Sequence, residues 1–204
     1  MGTGKKSVRC PKQRRSIATR QQIVKAAKEV FSSRGVHKAS SKEIADIAGV
    51  SIGSFYAYFK DKKSLLLEVL GDYLEEQFHR IWENTPEAPP LASYDDLILI
   101  VVKNVFRAYT VAPDFHRETH AMRYTDPAVK RLYDHERNKE LDKIKSLIVA
   151  GGSNMRIQDA DTAAVIIQSA VENVVHSVRF AQVDLDEKHL IEELSIMIRR
   201  YLFD

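Results

Sequence analysis

Ser40-Ser41-Lys42-Glu43-Ile44-Ala45-Asp46-Ile47-Ala48-Gly49-Val50-Ser51-Ile52-Gly53-Ser54-Phe55-Tyr56-Ala57-Tyr58-Phe59 decides how the rest of this chain is read. Ser40 and Glu43 have the spacing of a capping box, which predicts a short helix through Ala48 with Ile44 and Ile47 facing inward. Ala45 is small enough for a second helix to cross closely. Gly49 supplies a tight turn, and Val50 plugs the angle between the helices. Ser51 starts the second helix, which Phe55 and Phe59, one turn apart, fix to a core. This is the anatomy of a helix-turn-helix. It leaves Ile52, Gly53, Ser54, Ala57 and Tyr58 on outer faces, flanked by Lys42, Lys60, Lys62 and Lys63. Hydroxyls and ammonium groups of this kind suit phosphate oxygens, contacts that set register on a duplex more than base choice.

Outward from this stretch the chain reads as helices separated by short punctuators, with no alternating strand pattern. Upstream, residues 1–16 look like a basic arm. Thr19, with Gln22 three residues on, starts a helix that carries Ile23, Ala27, Val30 and Phe31 on one face and stops at Gly35. Downstream, Asp61 begins a long helix to about Asn84, and the prolines between Thr85 and Leu91 demand a loop. Ser93–Tyr109 is helical and nearly all apolar from Leu97 to Val102, which predicts burial all round. A short element covers Asp114–His120, and Asp126-Pro127 opens a helix reaching Val149. Helices over about 157–181 and 186–203 close the chain. The expectation is an all-α fold of nine helices, with a helix-turn-helix domain over 17–62 and a helical body over 63–204.

Charge divides along the same line. Residues 1–65 hold 15 Lys+Arg and 4 Asp+Glu, a net of +11, whereas the remainder holds 16 and 24, a net of −8. A basic front on an acidic body points to a polyanionic partner for the front alone, or to a merely solvated charged arm. The longest apolar run, Leu97–Val102, is too short to cross a bilayer, so no membrane partner is expected. Cys10 is the only cysteine, which fits a reducing compartment, the cytoplasm.

Three segments resemble the TetR/AcrR family of bacterial regulators. They are Thr19–Phe31 with Arg34-Gly35, Ile44–Ser51, and Gly53–Phe59 with Lys62 and Leu65-Leu66. The likeness covers about 47 residues in the family's order and spacing. It implies a dimeric regulator of transcription, not an enzyme, that binds double-stranded operator DNA. On this likeness Ser41 and Lys42 touch backbone or groove edge, Ser54 and its neighbours Ile52, Gly53 and Ala57 lie towards the bases, and Ser51 is a further DNA contact. Tyr56, Tyr58 and Lys62 hold phosphates. Ile52 and Ala57 stand where a basic residue is frequent, and Ala39 where a hydroxyl is frequent. Apolar side chains contact thymine methyls but make no bidentate hydrogen bond to guanine, so few direct base hydrogen bonds are expected. Lys12, Arg14 and Arg15 of the arm are candidates for a minor groove.

For the body, resemblance implies a small-molecule cavity and a homodimer through the last two helices. Aromatic wall candidates are Phe78, Trp82, Phe106, Tyr109, Tyr124 and Tyr133. Glu136 and Arg137 interrupt an apolar stripe, and Glu172 and His176 lie one turn apart on an apolar helix. Each pair suits either a polar pocket group or a buried contact. Ala163, Ala164, Ile167, Ala170, Val171, Val174 and Val178, with Leu190, Leu194, Ile198 and Leu202, offer faces for a dimer, a monomer core, or both. His116 and His120 are also one turn apart, but spacing supplies no further ligand, so no metal or cofactor is expected. The reading is a ligand-responsive repressor. An activator or effector-independent regulator of the same fold stays open, as does a metal-binding or enzymatic helical bundle.

Overall fold

The computed structural model describes residues 14–83, 85–87, 89–90, 93–181 and 184–203, with side chains from Ser16 onward. Among them run nine α-helices: α1 (Arg14–Arg34), α2 (Ser41–Ile47), α3 (Ile52–Tyr58), α4 (Lys62–Trp82), α5 (Tyr94–Ala108), α6 (Pro113–Met122), α7 (Pro127–Gly151), α8 (Ala160–Phe180) and α9 (Glu187–Leu202). A 3₁₀ turn, Gly152–Asn154, follows α7. The chain divides into two compact units, Met1–Tyr73 with Asp114–Leu132, and Leu74–Pro113 with Tyr133–Asp204.

In the first unit Ile23, Ala27, Val30 and Phe31 of α1 pack with Ile44, Phe55, Phe59, Leu65 and Val69, all essentially without exposure. Phe115 of α6 completes this core, its ring 6.2 Å from Phe31 and 5.4 Å from Tyr73. Two expectations change here. α1 starts at Arg14, so Thr19 is a helix-interior residue and not a cap, because nothing between Arg14 and Ala18 breaks a helix. The minor-groove candidate Lys12 lies outside the described residues, as do the side chains of Arg14 and Arg15. Ile47 is 49% exposed. At about 100° per residue the buried face of α2 centres between Ile44 and Ala45, which turns Ile47 about 110° away.

The second unit is built on α5, α8 and α9. Tyr94, Ile98, Val102 and Phe106 pack against Ala163, Ile167, Val171 and Val175, and against Ile191, Leu194, Ile198 and Leu202. These are the faces that the sequence left divided between core and dimer, and much of them is spent on this core. Ala170, Val174 and Val178 pack against its edge. A second apolar face stays outside it: Val165 and Ile166 on α8, and Ile196 and Met197 on α9, are each more than 40% exposed. α5 is not buried all round as its composition suggested, since Ile100 is 51% exposed.

Candidate functional site

The two helices of the motif are set by their caps. Ser40 accepts a hydrogen bond from the Glu43 N–H, and the Glu43 carboxylate meets Arg34 Nε at 2.9 Å. After α2, Gly49 adopts φ +67. Its N–H bonds the Asp46 carbonyl at 3.1 Å and the Val50 N–H bonds the Ala45 carbonyl at 3.0 Å. These paired bonds form a Schellman stop, which satisfies the last carbonyls of α2 and reverses the chain. Ser51 then caps α3 by accepting from the Ser54 N–H at 3.1 Å. Phe55 and Phe59 hold α3 inward, and the Arg20 guanidinium lies 4.9 Å from the Phe59 ring centre while pairing with Glu68.

What faces outward follows from this anchoring. Lys42, Ser51, Ile52, Gly53, Tyr56 and Lys60 are exposed, and Ser41, Ser54, Ala57 and Tyr58 are half-buried. The Tyr58 hydroxyl shares a 3.0 Å hydrogen bond with the Ser16 hydroxyl. Lys62 has turned inward. Its ammonium donates to the carbonyls of Val36 and Ala39 at 2.7 and 2.8 Å, and to that of His37 at 3.4 Å. All three of its donors are thus engaged. Lys63 meets Asp126 Oδ2 at 2.6 Å. That hydrogen bond, with those from the first N–H groups of α7, holds the Asp126 carboxyl below the usual range.

The corner between α1 and α2 is gripped from the other side by α6. Glu118 accepts from the Val36 and His37 N–H groups at 2.6 and 2.9 Å. Gly35 permits this approach. It has φ +81, and a Cβ there would stand 2.8 Å from a Glu118 oxygen. One loop therefore has its carbonyls held by Lys62 and its N–H groups held by Glu118.

Within the second unit, the end of α4, one face of α5, the middle of α8 and stretches of α7 and α9 line an apolar cavity of about 840 Å³, counting its open mouth and the solvent in it. Leu97, Val101, Val105, Ile144, Leu147 and Val171 are typical of its wall. Its polar groups are few. Tyr94 spends its hydroxyl on the Leu147 carbonyl at 2.7 Å, and the Trp82 indole N–H has no acceptor among the described residues. Glu140 of α7 and Glu172 of α8 also line it, with Gln168 between them. Gln168 Nε2 donates to Glu140 at 3.2 Å and to Glu172 at 3.1 Å, while its oxygen accepts from Arg137 Nε at 3.4 Å. Burial, reinforced by Glu172 and Glu136, pushes the Glu140 carboxyl up to about 7.

Two family descriptions match this chain. "Bacterial regulatory proteins, tetR family" covers residues 23–69, and "Tetracyclin repressor-like, C-terminal domain" covers 75–202. The chain belongs to the TetR family. Its relatives include the regulator TtgR of Pseudomonas putida, 28% identical over 168 residues, or 77% of this chain and 78% of that one. The repressor KstR2 of Mycolicibacterium smegmatis is 32% identical over 134 residues, 61% of this chain and 60% of that one. Among solved structures, a transcriptional regulator from Saccharomonospora viridis in complex with choline shares the fold at TM-score 0.74 and 20% identity, over 91% of this chain and 97% of that one. SmeT, repressor of a multidrug efflux pump in Stenotrophomonas maltophilia, matches at TM-score 0.67 and 18% identity, over 93% and 92%. The chain is a helix-turn-helix transcription regulator.

For this TetR-family regulator, the cavity gathers only part of the residue set expected from sequence. Trp82, Tyr109 and Glu172 line it. Phe106 is fully buried in the core, and Tyr133 is 8% exposed and absent from the wall. Phe78 lies under the Lys139 ammonium at 4.0 Å and borders a shallow surface depression instead. Tyr124 is 73% exposed in the first unit, with Arg123 over its ring. His176 packs between the rings of Tyr109 and Phe180, 5.4 and 5.2 Å away. Glu136 is buried near Lys139, and burial raises its carboxyl. Sequence reasoning passed over Glu140 and Gln168. Glu140 lies one turn beyond Glu136 and close to one turn before Ile144, a spacing that marked it in principle.

Proposed function

We propose that this regulator is a dimeric repressor that binds a palindromic operator and is released by a small molecule entering the second unit. The observation that carries the reading is the apolar cavity in the same chain as a capped helix-turn-helix. Its wall is almost wholly apolar with a few polar groups, the make-up of small-molecule sites. Differential affinity of a ligand for two conformers of the chain is sufficient to shift operator occupancy.

On the DNA side, α3 lies in the major groove. Ile52, Gly53, Ser54 and Ala57 meet base edges and thymine methyls, and Ser41, Lys42, Ser51, Tyr56 and Tyr58 meet the backbone. Lys62 acts here chiefly by fixing the loop before α2, because its donors are already committed to carbonyls. One copy reads a half-site, so two copies with recognition helices about 34–36 Å apart are required. The exposed face of Val165, Ile166, Ile196 and Met197 pairs the two copies across a two-fold axis. No described helix is long and apolar enough to cross a membrane, and the assigned workplace is the cytoplasm.

Fluorescence anisotropy on DNA upstream of the regulator's own gene tests the reading, with increasing salt and then with a library of small molecules. Tight binding that weakens steeply with salt, and is lost on adding a ligand, is expected. Binding indifferent to salt removes the phosphate contacts. Failure of every ligand that raises the melting temperature to alter DNA affinity removes the repressor mechanism.

A further inference from the structure

We infer that the cavity takes an amphipathic organic cation, an apolar body carrying one protonated nitrogen that is received by Glu140. The inference rests on the effector reading above and narrows it to a chemical class.

Its ground is the make-up of the cavity wall. The wall contains two carboxylates, Glu140 and Glu172, and neither lysine, arginine nor histidine. An anion placed there would meet the like charge of Glu140, and a wholly apolar guest would leave that carboxyl facing hydrocarbon. Glu140 has an oxygen to give. Its Oε2 accepts from Gln168, and its Oε1 has no protein donor among the described residues. Arg137 pins the Gln168 amide oxygen at 3.4 Å, and the amide nitrogen is thereby presented to both carboxylates.

The neutral donor Gln168 orients Glu140 without cancelling its charge, whereas Glu172 also has the His176 imidazole of its own helix within 4.8 Å. Arg137, the basic group that acts on Glu140, is an exposed residue beyond Gln168 and does not line the cavity. Burial and the neighbouring Glu172 and Glu136 make the Glu140 anion costly, which is why its carboxyl stands at about 7. A bound cation relieves that cost. Trp82 and Tyr109 in the same wall are electron-rich faces on which a cation or its adjacent methylenes can rest. The remaining wall, from Leu97 to Leu202, is hydrocarbon that accepts the apolar body.

The test uses three probes of one shape and different charge, decylammonium, decanol and decanoate, titrated into the full chain at neutral pH. Calorimetry and melting-temperature shift report binding, and anisotropy of labelled operator reports release. Decylammonium is expected to bind roughly tenfold or more tighter than either of the others, as a charge-assisted hydrogen bond in a dry site should. Glu140→Gln should bring the decylammonium-to-decanol ratio close to one. Glu172→Gln, examined in parallel, should lower it by less, and it keeps the question answerable if the first variant folds poorly.

Decanol or decanoate binding as tightly as decylammonium overturns the inference, as does a ratio unchanged in both variants. Operator release by the three probes alike sinks the inference and leaves the effector reading standing. Cation-selective binding with no loss of operator affinity upholds the inference and overturns the repressor reading. If none of the three binds, the inference falls, and the effector reading stands or falls with the wider library.

Discussion

The helix-turn-helix unit and the cavity unit are both helical, yet they are specified in different ways. In the first, single residues dictate local geometry. Ser40, Gly49 and Ser51 set where helices start and stop, and Phe55 and Phe59 set which way α3 faces. In the second, no short motif dominates, and helices spaced far apart in the chain decide which side of each one is dry. Tyr94 bonds a carbonyl 53 residues away, and Glu140 of α7 meets Glu172 of α8 through the Gln168 amide of α8. The contrast teaches where substitutions act. In the first unit a change of residue type at one turn alters a backbone path, whereas in the second it alters a volume or a charge inside an existing frame.

The largest effect should come from removing the anchor of α3. Phe55→Ala empties a site with no exposure and is expected to cost about 3–5 kcal/mol, abolishing operator binding in anisotropy while the cavity unit keeps its helicity. Next, Glu118→Ala strips the acceptor from the Val36 and His37 N–H groups. A loss of about 1–3 kcal/mol is expected in urea unfolding, with Glu118→Gln recovering part of it. If Glu118→Ala is neutral, water satisfies that corner equally well and α6 does not brace it.

A third prediction concerns pH and the cavity unit. The Glu140 carboxyl is raised to about 7 from 4.5, so between these values the folded chain holds a proton that the unfolded chain has released. Its contribution to stability is therefore fullest below 4.5 and is lost as pH rises through about 7. Relative to the native chain, Glu140→Gln should then gain melting temperature at pH 8 compared with pH 5. Glu136 and Arg137 on α7 and Glu172 on α8 act on the same carboxyl, and an equal difference at both pH values would mean they already compensate it. The smallest structural effect belongs to Lys42→Ala and Lys60→Ala. Stability should stay within about 0.5 kcal/mol of the native chain, while each variant lowers the salt slope of operator binding by about one. A slope that does not move takes that lysine off the phosphate backbone.

Legibility in the sequence follows the same division. The caps, the turn and the anchoring phenylalanines were readable because each rests on a residue whose chemistry permits few alternatives at that spacing. Ile47 misled because a seven-residue helix has little periodicity to fit, and its apolar side chain matched the inward register of Ile44 by count but not by angle. Lys62 was readable as a basic residue near the motif, but its inward turn depends on loop carbonyls that no spacing reveals. In the cavity unit, aromatic residues were a poor guide. Phe106 filled the core and Tyr124 faced solvent, while aliphatic side chains made most of the wall. The spacing of Glu140 from Glu136 and Ile144 places it on the inward side of α7, but its role needed Gln168 from α8 to show.

The grip of Glu118 on the loop at Val36 and His37 also has a temporal side. These groups are separated by 82 and 81 residues, and Phe115, which closes the core beside Phe31 and Tyr73, lies equally far down the chain. During synthesis the helix-turn-helix leaves the ribosome long before α6 does, with its corner unbraced and its core open on one side. One segment of the second unit, Leu74–Pro113, is made in between. A fragment ending at Tyr73 would stop at that unfinished stage, because the compact unit that holds the helix-turn-helix is interleaved in the chain and no single cut of the gene delivers it alone.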